Sequence, residues 1–340
     1  YGAQAPYEIF IWRNDFMKKL LAVLLSLTLI LACGAAYAED KPVIGIIQQM
    51  DHVALNAARD GFVKALEDNG FVDGETITLD IQNGQGDQSN LATIADRFIS
   101  EKADLVLAIA TTAATTMAGK TESIPILGTA ITDYVSAKLV ESNEKPGYNV
   151  SGTSDMNPVS AQIELLKKLA PEAKTVGVLF TSGETNSVIQ AAMAKEAIEA
   201  QGMTYVEGTA TNTNDVQQAV QQLVGKCDAI YLPTDNVMAS SMPIIYGVTA
   251  ESKTPVICGE SGMVYNGGLA TLGISYFQLG YETGLMAVEV LGGADISEMP
   301  IRFATEGFEY AINKTVADEI GLEIPDDLLP FAFEMTTTAE

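Results

Sequence analysis

The sequence predicts an α/β fold of two similar doubly wound parallel-sheet lobes joined by a hinge. Short apolar segments alternate with amphipathic helical segments over residues 42–130, and the same order returns over residues 175–260. The apolar segments are nearly continuous, which is typical of strands buried on both faces of a parallel sheet. Each sheet should gather the carboxyl ends of its strands along one edge, where open α/β sheets bind ligands.

The first repeat contains four strands and three helices. Its strands are predicted over residues 42–48, 77–83, 104–110 and 125–130. Its first helix runs from about 52 to 69, with apolar residues at helical spacing, and Gly70 ends it. Asp87 and Ser89 are candidate N-caps for a second helix over 91–100, and a third begins near 112.

The second repeat follows a segment, residues 144–158, that is rich in Gly, Pro, Asn and Ser and reads as a crossover. Its strands are predicted over residues 175–180, 203–210, 229–234 and 255–260, and its helices over about 186–200, 215–224 and 237–249. A strand over 270–275 then leads to a helix over 277–291 that returns to the first lobe, and the tail 301–322 crosses back to the second. We therefore expect residues 39–152 plus 276–300 in lobe 1 and residues 153–275 plus 301–335 in lobe 2.

The amino-terminal region, residues 1–38, reads as an upstream extension followed by a signal peptide. A Met-Lys-Lys sequence at 17–19 precedes an apolar run over 20–32, the pattern of a secretory signal. Two processing sites compete: an Ala-Tyr-Ala site that ends at Ala38, and a lipobox-like sequence that ends at Cys33. We expect an extracytoplasmic protein, secreted or periplasmic, with a lipid anchor at Cys33 as the alternative.

The composition of the chain limits which classes of molecule it can bind and whether its cysteines can pair. The chain carries 44 acidic and 19 basic residues, a net charge of −25, which repels nucleic acid. Cys227 lies before one predicted strand and Cys258 near the end of the next, so parallel strands would hold the two sulfurs too far apart for a disulfide. Both are expected to be small core residues.

Polar residues gather where the predicted strands end, and these are the candidate ligand-binding residues. In the first half of the chain they are Gln48, Met50, Thr111, Thr112, Thr129 and Asp133. In the second half they are Ser182, Glu184, Asn186, Ser187, Asp235, Asn236, Glu260 and Tyr276.

The chemistry of these candidates is recognition of a small charged molecule. Ser182, Asn186 and Ser187 lie where a strand gives way to a helix, so backbone N–H groups and hydroxyls there could bind a carboxylate, or could simply cap the helix. Thr111 and Thr112 offer the same chemistry from the other lobe. Asp235 could receive an ammonium group through a charge-assisted hydrogen bond, or could be the N-cap of the helix that follows.

Other residues at these edges carry weaker signals. Asp133 and Glu260 are as readily solvated loop charges as ligand contacts. Met50, Tyr134, Tyr265 and Tyr276 could form an apolar wall for a flat ring, or could belong to the core.

Catalytic and cofactor motifs are missing from the sequence. His52 is the only histidine and should begin a helix, and neither an HExxH motif, a GxSxG elbow nor a phosphate-binding GxxxxGK[ST] loop occurs. We therefore expect no enzyme activity, no cofactor and no metal.

Several segments resemble one family, the ABC transporter substrate-binding proteins whose better-known members bind tryptophan or other aromatic amino acids. They are TIADRFISEKADLVLAIATTAA, GTSDMNPVSAQIELLKKLAPEAKTVGVLF, DAIYLPTDN and SYFQLGYETGLMAVEVLGG, and the resemblance extends over about residues 42–325. It implies a type I periplasmic-binding-protein fold, a ligand held between the lobes by hinge closure, and a monomer that docks on an ABC permease. It also assigns Ser182, Asn186 and Ser187 to the carboxylate end of an amino acid, and Asp235 and Asn236 to the amino end.

The sequence departs from the family at one place and leaves two rival functions. The usual TDP after the fourth strand appears here as Thr132-Asp133-Tyr134. A ligand-sensing module for a membrane receptor would share the same fold. A two-cysteine amino-acid racemase would need one thiol on each side of its substrate, whereas Cys227 and Cys258 fall in the same half.

Overall fold

The structure, a computed structural model, describes residues 41–303 and 307–335. The predicted signal peptide and its two processing sites lie outside these residues. Within the described ranges, none of the helices combines the length and the apolar character needed to cross a membrane.

Six strands form the first sheet, and every pair in it is parallel. The strand order is β11-β5-β4-β3-β1-β2. The strands are β1 (Val43–Gln48), β2 (Thr78–Asn83), β3 (Leu105–Ile109), β4 (Ile126–Ile131), β5 (Val150–Ser154) and β11 (Arg302–Phe303).

Seven strands form the second sheet, in the order β13-β12-β10-β9-β8-β6-β7. Only the β10–β12 pair is antiparallel. The strands are β6 (Thr175–Thr181), β7 (Thr204–Ala210), β8 (Ala229–Leu232), β9 (Val256–Cys258), β10 (Ala270–Gly273), β12 (Glu309–Asn313) and β13 (Ala332–Phe333). The predicted class, an α/β fold with two doubly wound sheets, is confirmed.

Helices cover both sheets. The first six helices are α1 (Val53–Asp68), α2 (Gln88–Ser100), α3 (Thr111–Ala118), α4 (Val159–Leu169), α5 (Thr185–Ala200) and α6 (Thr213–Val224). The remaining helices in the described residues are α7 (Asn236–Ser240), α8 (Met242–Ser252), α9 (Ser261–Tyr265), α10 (Tyr276–Leu291) and α11 (Lys314–Ile320), with short 3-10 turns at Ile296–Glu298 and Leu329–Phe331.

Two predicted elements differ from the structure for identifiable reasons. The crossover segment 144–158 contains strand β5, which lies between β11 and β4 in the first sheet and is fully buried. The single helix predicted over 237–249 is two helices, α7 and α8, that meet at Ser241. Pro243 stands in the first turn of α8, where its missing N–H group costs no hydrogen bond.

The chain changes sheet three times: between β5 and β6, between β10 and α10, and between β11 and β12. Helix α10, predicted to return to the first lobe, packs against α1, β4 and β5. Strand β11 pairs with β5, which places Arg302–Phe303 beside the first sheet although residues 301–335 were expected in lobe 2. The exact division into lobes stays a prediction.

Helices α1 and α10 approach each other closely enough to require glycine. A Cβ on Gly280 would collide with the backbone carbonyl of Ala58, and one on Gly61 with that of Phe277. One on Gly284 would lie 2.6 Å from the Ala65 side chain. The short approach fixes the helix that carries Tyr276 against the first sheet.

Both cysteines of the described residues are free, as expected. Cys258 is buried in the core of the second sheet, and Cys227 is half-buried at its margin.

Candidate functional site

A small cavity lies between the two sheets, at the carboxyl ends of their strands. It measures about 10 Å³, enough for one water molecule. Its lining comes from loops and helix starts of both sheets: His52, Leu55, Ala130, Thr132, Asp155, Asn186, Thr234, Asp235, Asn236, Ala239, Glu260 and Tyr276.

Strained backbone marks the first sheet at this edge. Ala110 follows β3 with a φ of 81°, and Ala130, near the end of β4, has a φ of 55°. An alanine rarely adopts such angles, which cost about 1–3 kcal/mol each and cluster at functional sites. Ala130 itself lines the cavity.

One group of polar side chains surrounds the carboxylate of Asp155, which follows β5 directly. This carboxylate accepts hydrogen bonds from the Tyr276 hydroxyl at 2.7 Å and from the Thr132 hydroxyl at 3.0 Å. Burial raises the pKa of Asp155. Glu260 is part of the same group, because the charge of Asp155 helps to raise its pKa to about 7, after burial, which is the larger cause. A cation placed here would favour the ionised form of both carboxyl groups.

Glu260 also caps a helix. Its carboxylate accepts from the backbone N–H groups of Gly262, at 2.5 Å, and Met263, at 2.8 Å, at the start of α9. Two of the roughly four acceptor positions of this carboxylate are occupied in this way.

Asp235 also lines the cavity, and its carboxylate accepts more hydrogen bonds from the protein than that of Glu260. Its carboxylate accepts from the Met238 backbone at 2.8 Å, as the N-cap of α7, and from both the backbone N–H and the hydroxyl of Thr181. Burial raises its pKa. The helix-capping interpretation of Asp235 therefore describes its contacts in the structure.

Glu184 connects the two sheets. Its Oε1 accepts from Gln49 Nε2 at 3.1 Å, and Gln49 follows β1 in the first sheet. Its Oε2 accepts from the backbone and side-chain amide of Asn236, at 3.1 and 2.8 Å, and from Asn186 Nδ2 at 3.2 Å. Burial, and secondarily the charge of Asp235, raise the pKa of Glu184 to about 7.

His52 makes a second contact between the sheets. Its Nε2 lies 3.1 Å from Asn236 Oδ1. Burial lowers the pKa of His52 to about 4, so the ring is neutral at physiological pH.

Several buried polar atoms in this region have no hydrogen-bond partner among the described residues. They are Gln49 Oε1, His52 Nδ1, Asn186 Oδ1 and Thr111 Oγ1. Buried polar atoms are normally paired, so their concentration where the carboxyl ends of the two sheets face each other indicates a binding site.

The structure brings five of the predicted site residues to the cavity: Asn186, Asp235, Asn236, Glu260 and Tyr276. Glu184 and Ser187 are buried directly behind them, where the Ser187 hydroxyl lies 3.4 Å from Glu184 Oε2. Thr111 is buried at the start of α3, and Thr112 follows it half-buried.

The other predicted site residues have different surroundings. Gln48 is buried and donates to Met50 O and Asn56 Oδ1, and Met50 packs in the core of the first sheet. The Thr129 hydroxyl pairs with that of Thr153 at 3.2 Å inside the sheet.

Two more lie in loops. Asp133 accepts from the backbone and hydroxyl of Ser136, at 2.9 and 3.0 Å. Ser182 is exposed, and its hydroxyl lies 3.5 Å from the carbonyl of Ala210.

The two aromatic residues that sequence reasoning placed beside Met50 and Tyr276 also lie elsewhere. Tyr134 is in the core, with its hydroxyl donating to Thr153 O, and Tyr265 is exposed against Phe333.

Sequence reasoning missed five polar residues that line the cavity or join the sheets: Gln49, His52, Thr132, Asp155 and Thr234. It also missed the apolar lining residues Leu55, Ala130 and Ala239. Asp155 lay in the segment read as a crossover, but an acidic residue directly after a buried strand was a usable signal.

The comparisons with known proteins identify the family. The model of the ABC transporter substrate binding protein family matches residues 43–336. The chain belongs to this family. This substrate-binding protein is 43% identical, over 280 residues, to a tyrosine-binding protein from Clostridioides difficile, covering 82% of this chain and 81% of the relative.

Solved structures agree. An ABC domain in complex with L-Trp from Streptococcus pneumonia is 37% identical, with a TM-score of 0.83, and the match covers 87% of this chain and 99% of that one. A ligand-free, open substrate-binding protein with adhesive properties from Clostridium difficile is 46% identical, with a TM-score of 0.67, covering 87% of this chain and 100% of that one. The fold is that of the type I periplasmic binding proteins.

The two TM-scores rank in the opposite order to the two identities. The substrate-binding protein described here superposes better on the L-Trp complex, although its sequence is closer to that of the open structure. Overall superposition and sequence identity therefore rank these two structures differently.

Proposed function

We propose that this substrate-binding protein captures an aromatic amino acid between its two sheets and delivers it to an ABC permease from outside the cytoplasm. The observation that carries the proposal is the pair of buried carboxylates, Asp155 and Glu260, beside a cavity enclosed by both sheets. Family membership supports the importer and the extracytoplasmic location, and the names of the relatives support the aromatic class.

The ammonium group of the ligand belongs beside Asp155 and Glu260. Asp155 accepts two side-chain hydrogen bonds and Glu260 accepts two from backbone N–H groups, whereas Asp235 accepts three from Thr181 and Met238. A charge-assisted hydrogen bond at this end contributes about 1.5–3 kcal/mol to the affinity.

The carboxylate of the ligand requires donors, and Thr111 supplies one. Its hydroxyl is buried without a partner at the start of α3, a helix that contacts α5 of the other sheet. The backbone N–H groups of the first turn of α3 add neutral donors, as at other helix starts that bind anions.

Capture proceeds by closure of the sheets. The contacts Gln49–Glu184 and His52–Asn236 join the two sheets and form only when the sheets approach. A ligand that bridges the carboxylates and Thr111 adds to these contacts and shifts the protein towards the closed arrangement.

The proposed role is binding without chemistry. Cys227 and Cys258 both lie in the second sheet, and burial raises the pKa of Cys227 to about 11 and that of Cys258 further. Thiols of this kind remain protonated and unreactive at neutral pH, unlike the paired thiols of a racemase.

Isothermal titration calorimetry against the twenty amino acids tests the proposal. We expect saturable binding of tyrosine or tryptophan, a rise in melting temperature with ligand concentration, and no turnover of either enantiomer. Absence of binding by every aromatic amino acid would refute the proposed ligand class.

A further inference from the structure

The hydrogen bonds around Asn236 fix the protonation of His52. Glu184 accepts from the side-chain nitrogen of Asn236 at 2.8 Å, so the side-chain oxygen of Asn236 faces His52. Nε2 of His52 must therefore carry the proton that it donates to this oxygen. In a neutral ring the other nitrogen, Nδ1, is then an acceptor, and it is buried without a partner.

Asn186 presents a second acceptor whose orientation is equally fixed. Its side-chain nitrogen donates to Thr234 O at 2.9 Å and to Glu184 Oε2 at 3.2 Å. Its Oδ1 is left buried and unpartnered, and both His52 and Asn186 line the cavity.

These two acceptors form a group separate from the carboxylates. Asp155, Glu260 and Tyr276 are linked through a hydrogen bond and mutual charge effects, whereas His52 and Asn186 are linked through Glu184 and Asn236. No hydrogen bond among residues 41–303 and 307–335 joins one group to the other. An ammonium group at the carboxylates thus leaves the acceptor pair to another part of the ligand.

That other part must be a donor. A ligand carboxylate carries only acceptors and would leave His52 Nδ1 and Asn186 Oδ1 unpaired, at the cost of buried unsatisfied groups. Building on the proposed function, we infer that His52 Nδ1 and Asn186 Oδ1 recognise a hydrogen-bond donor on the aromatic ring of the ligand. The phenol O–H of tyrosine and the indole N–H of tryptophan are such donors, and phenylalanine has none.

Calorimetry with a series of ring analogues tests this inference on the unaltered protein. We expect tyrosine and tryptophan to bind at least about tenfold more tightly than phenylalanine and 4-fluorophenylalanine, which matches the shape of tyrosine without its donor. Equal affinities across the four ligands would overturn the inference and leave the proposed function standing. Absence of binding by all four would overturn both.

A variant assigns the effect to His52. His52→Gln places an amide nitrogen near the position of Nε2 for Asn236 but has no counterpart of Nδ1. We expect the tyrosine-to-phenylalanine affinity ratio to fall at least about fivefold in this variant, and to stay unchanged in Glu67→Gln, an exposed change on the same helix. An unchanged ratio in folded His52→Gln would overturn the role of His52.

Discussion

Replacement of Asp155 by asparagine separates the binding role of its charge from its structural role. The carboxylate accepts from Tyr276 at 2.7 Å and from Thr132 at 3.0 Å. An asparagine keeps one oxygen for the Thr132 hydroxyl, and its amide N–H can donate to the Tyr276 hydroxyl, which accepts as well as donates. The local contacts therefore survive the loss of the charge.

Asp155→Asn should weaken ligand binding without lowering the stability of the ligand-free protein. Loss of a charge-assisted hydrogen bond to the ammonium costs about 1.5–3 kcal/mol, or a roughly 10- to 150-fold weaker affinity. The ligand-free protein should be as stable as the wild type or more stable at pH 8. Burial raises the pKa of Asp155, so its ionised form is disfavoured in the fold, and a neutral side chain removes that penalty.

The assay pairs calorimetric titration with chemical denaturation of the ligand-free protein. Asp133→Asn is the matched control, because this half-exposed carboxylate accepts hydrogen bonds from Ser136 and does not line the cavity. The Asp133→Asn variant should bind the ligand with unchanged affinity. A folded Asp155→Asn variant that binds within twofold of the wild type would refute the placement of the ammonium group.

Two further predictions concern pH and packing. Because the pKa values of Glu184 and Glu260 are about 7 in the fold against an ordinary 4.5, the folded state binds more protons, and the free energy of unfolding should fall as pH rises from about 4.5 to 7. His52, with a pKa lowered to about 4, offsets part of this fall in stability below about pH 6.5. Chemical denaturation of the ligand-free protein from pH 5 to 8 measures the net change in the free energy of unfolding. Stability that increases from pH 6.5 to 8 would contradict the raised pKa values of Glu184 and Glu260. Gly280→Ala should destabilise the protein by about 2 kcal/mol or more, because the added methyl group would collide with helix α1. The control Gly247→Ala, at a helical position with open space, should stabilise it by about 0.5–1 kcal/mol. Similar melting temperatures for the two variants would disprove the close approach of α1 and α10.

Most of the fold was readable because apolar strands and amphipathic helices alternate with clear periods. Strand β6, predicted over 175–180, is Thr175–Thr181 in the structure. Strand β5 was missed because its sequence, VSGTS, has the composition of a loop. It is buried because its hydroxyls are paired: Ser151 donates to Met299 O at 2.6 Å, and Thr153 lies 2.8 Å from the Thr283 hydroxyl. Such pairing involves residues far apart in sequence, which local composition does not reveal.

The sequence predicted that the site lies at the carboxyl ends of the strands, but it did not predict each residue of the site. Sequence reasoning chose Gln48 and Met50 at the end of β1, whereas the residue between them, Gln49, contacts Glu184. Successive side chains of a strand point to opposite faces, so a shift of one residue exchanges a contact with the other sheet for one within the first lobe. Polarity alone could not distinguish Gln48 from Gln49, because both are buried and hydrogen-bonded.

The hydrogen bonds between the two sheets form only in the closed arrangement. A local sequence pattern cannot predict them, because their partners are far apart in the chain. Gln49 and Glu184 are 135 positions apart, and His52 and Asn236 are 184 apart. Each such hydrogen bond contributes only about 0.5–1.5 kcal/mol net, so the two together favour closure by about 1–3 kcal/mol against the freedom of the open hinge. A ligand whose ammonium group alone contributes as much can shift a balance this small towards the closed arrangement. The same polar residues therefore hold the sheets together weakly enough for release and, with a ligand between them, strongly enough for capture.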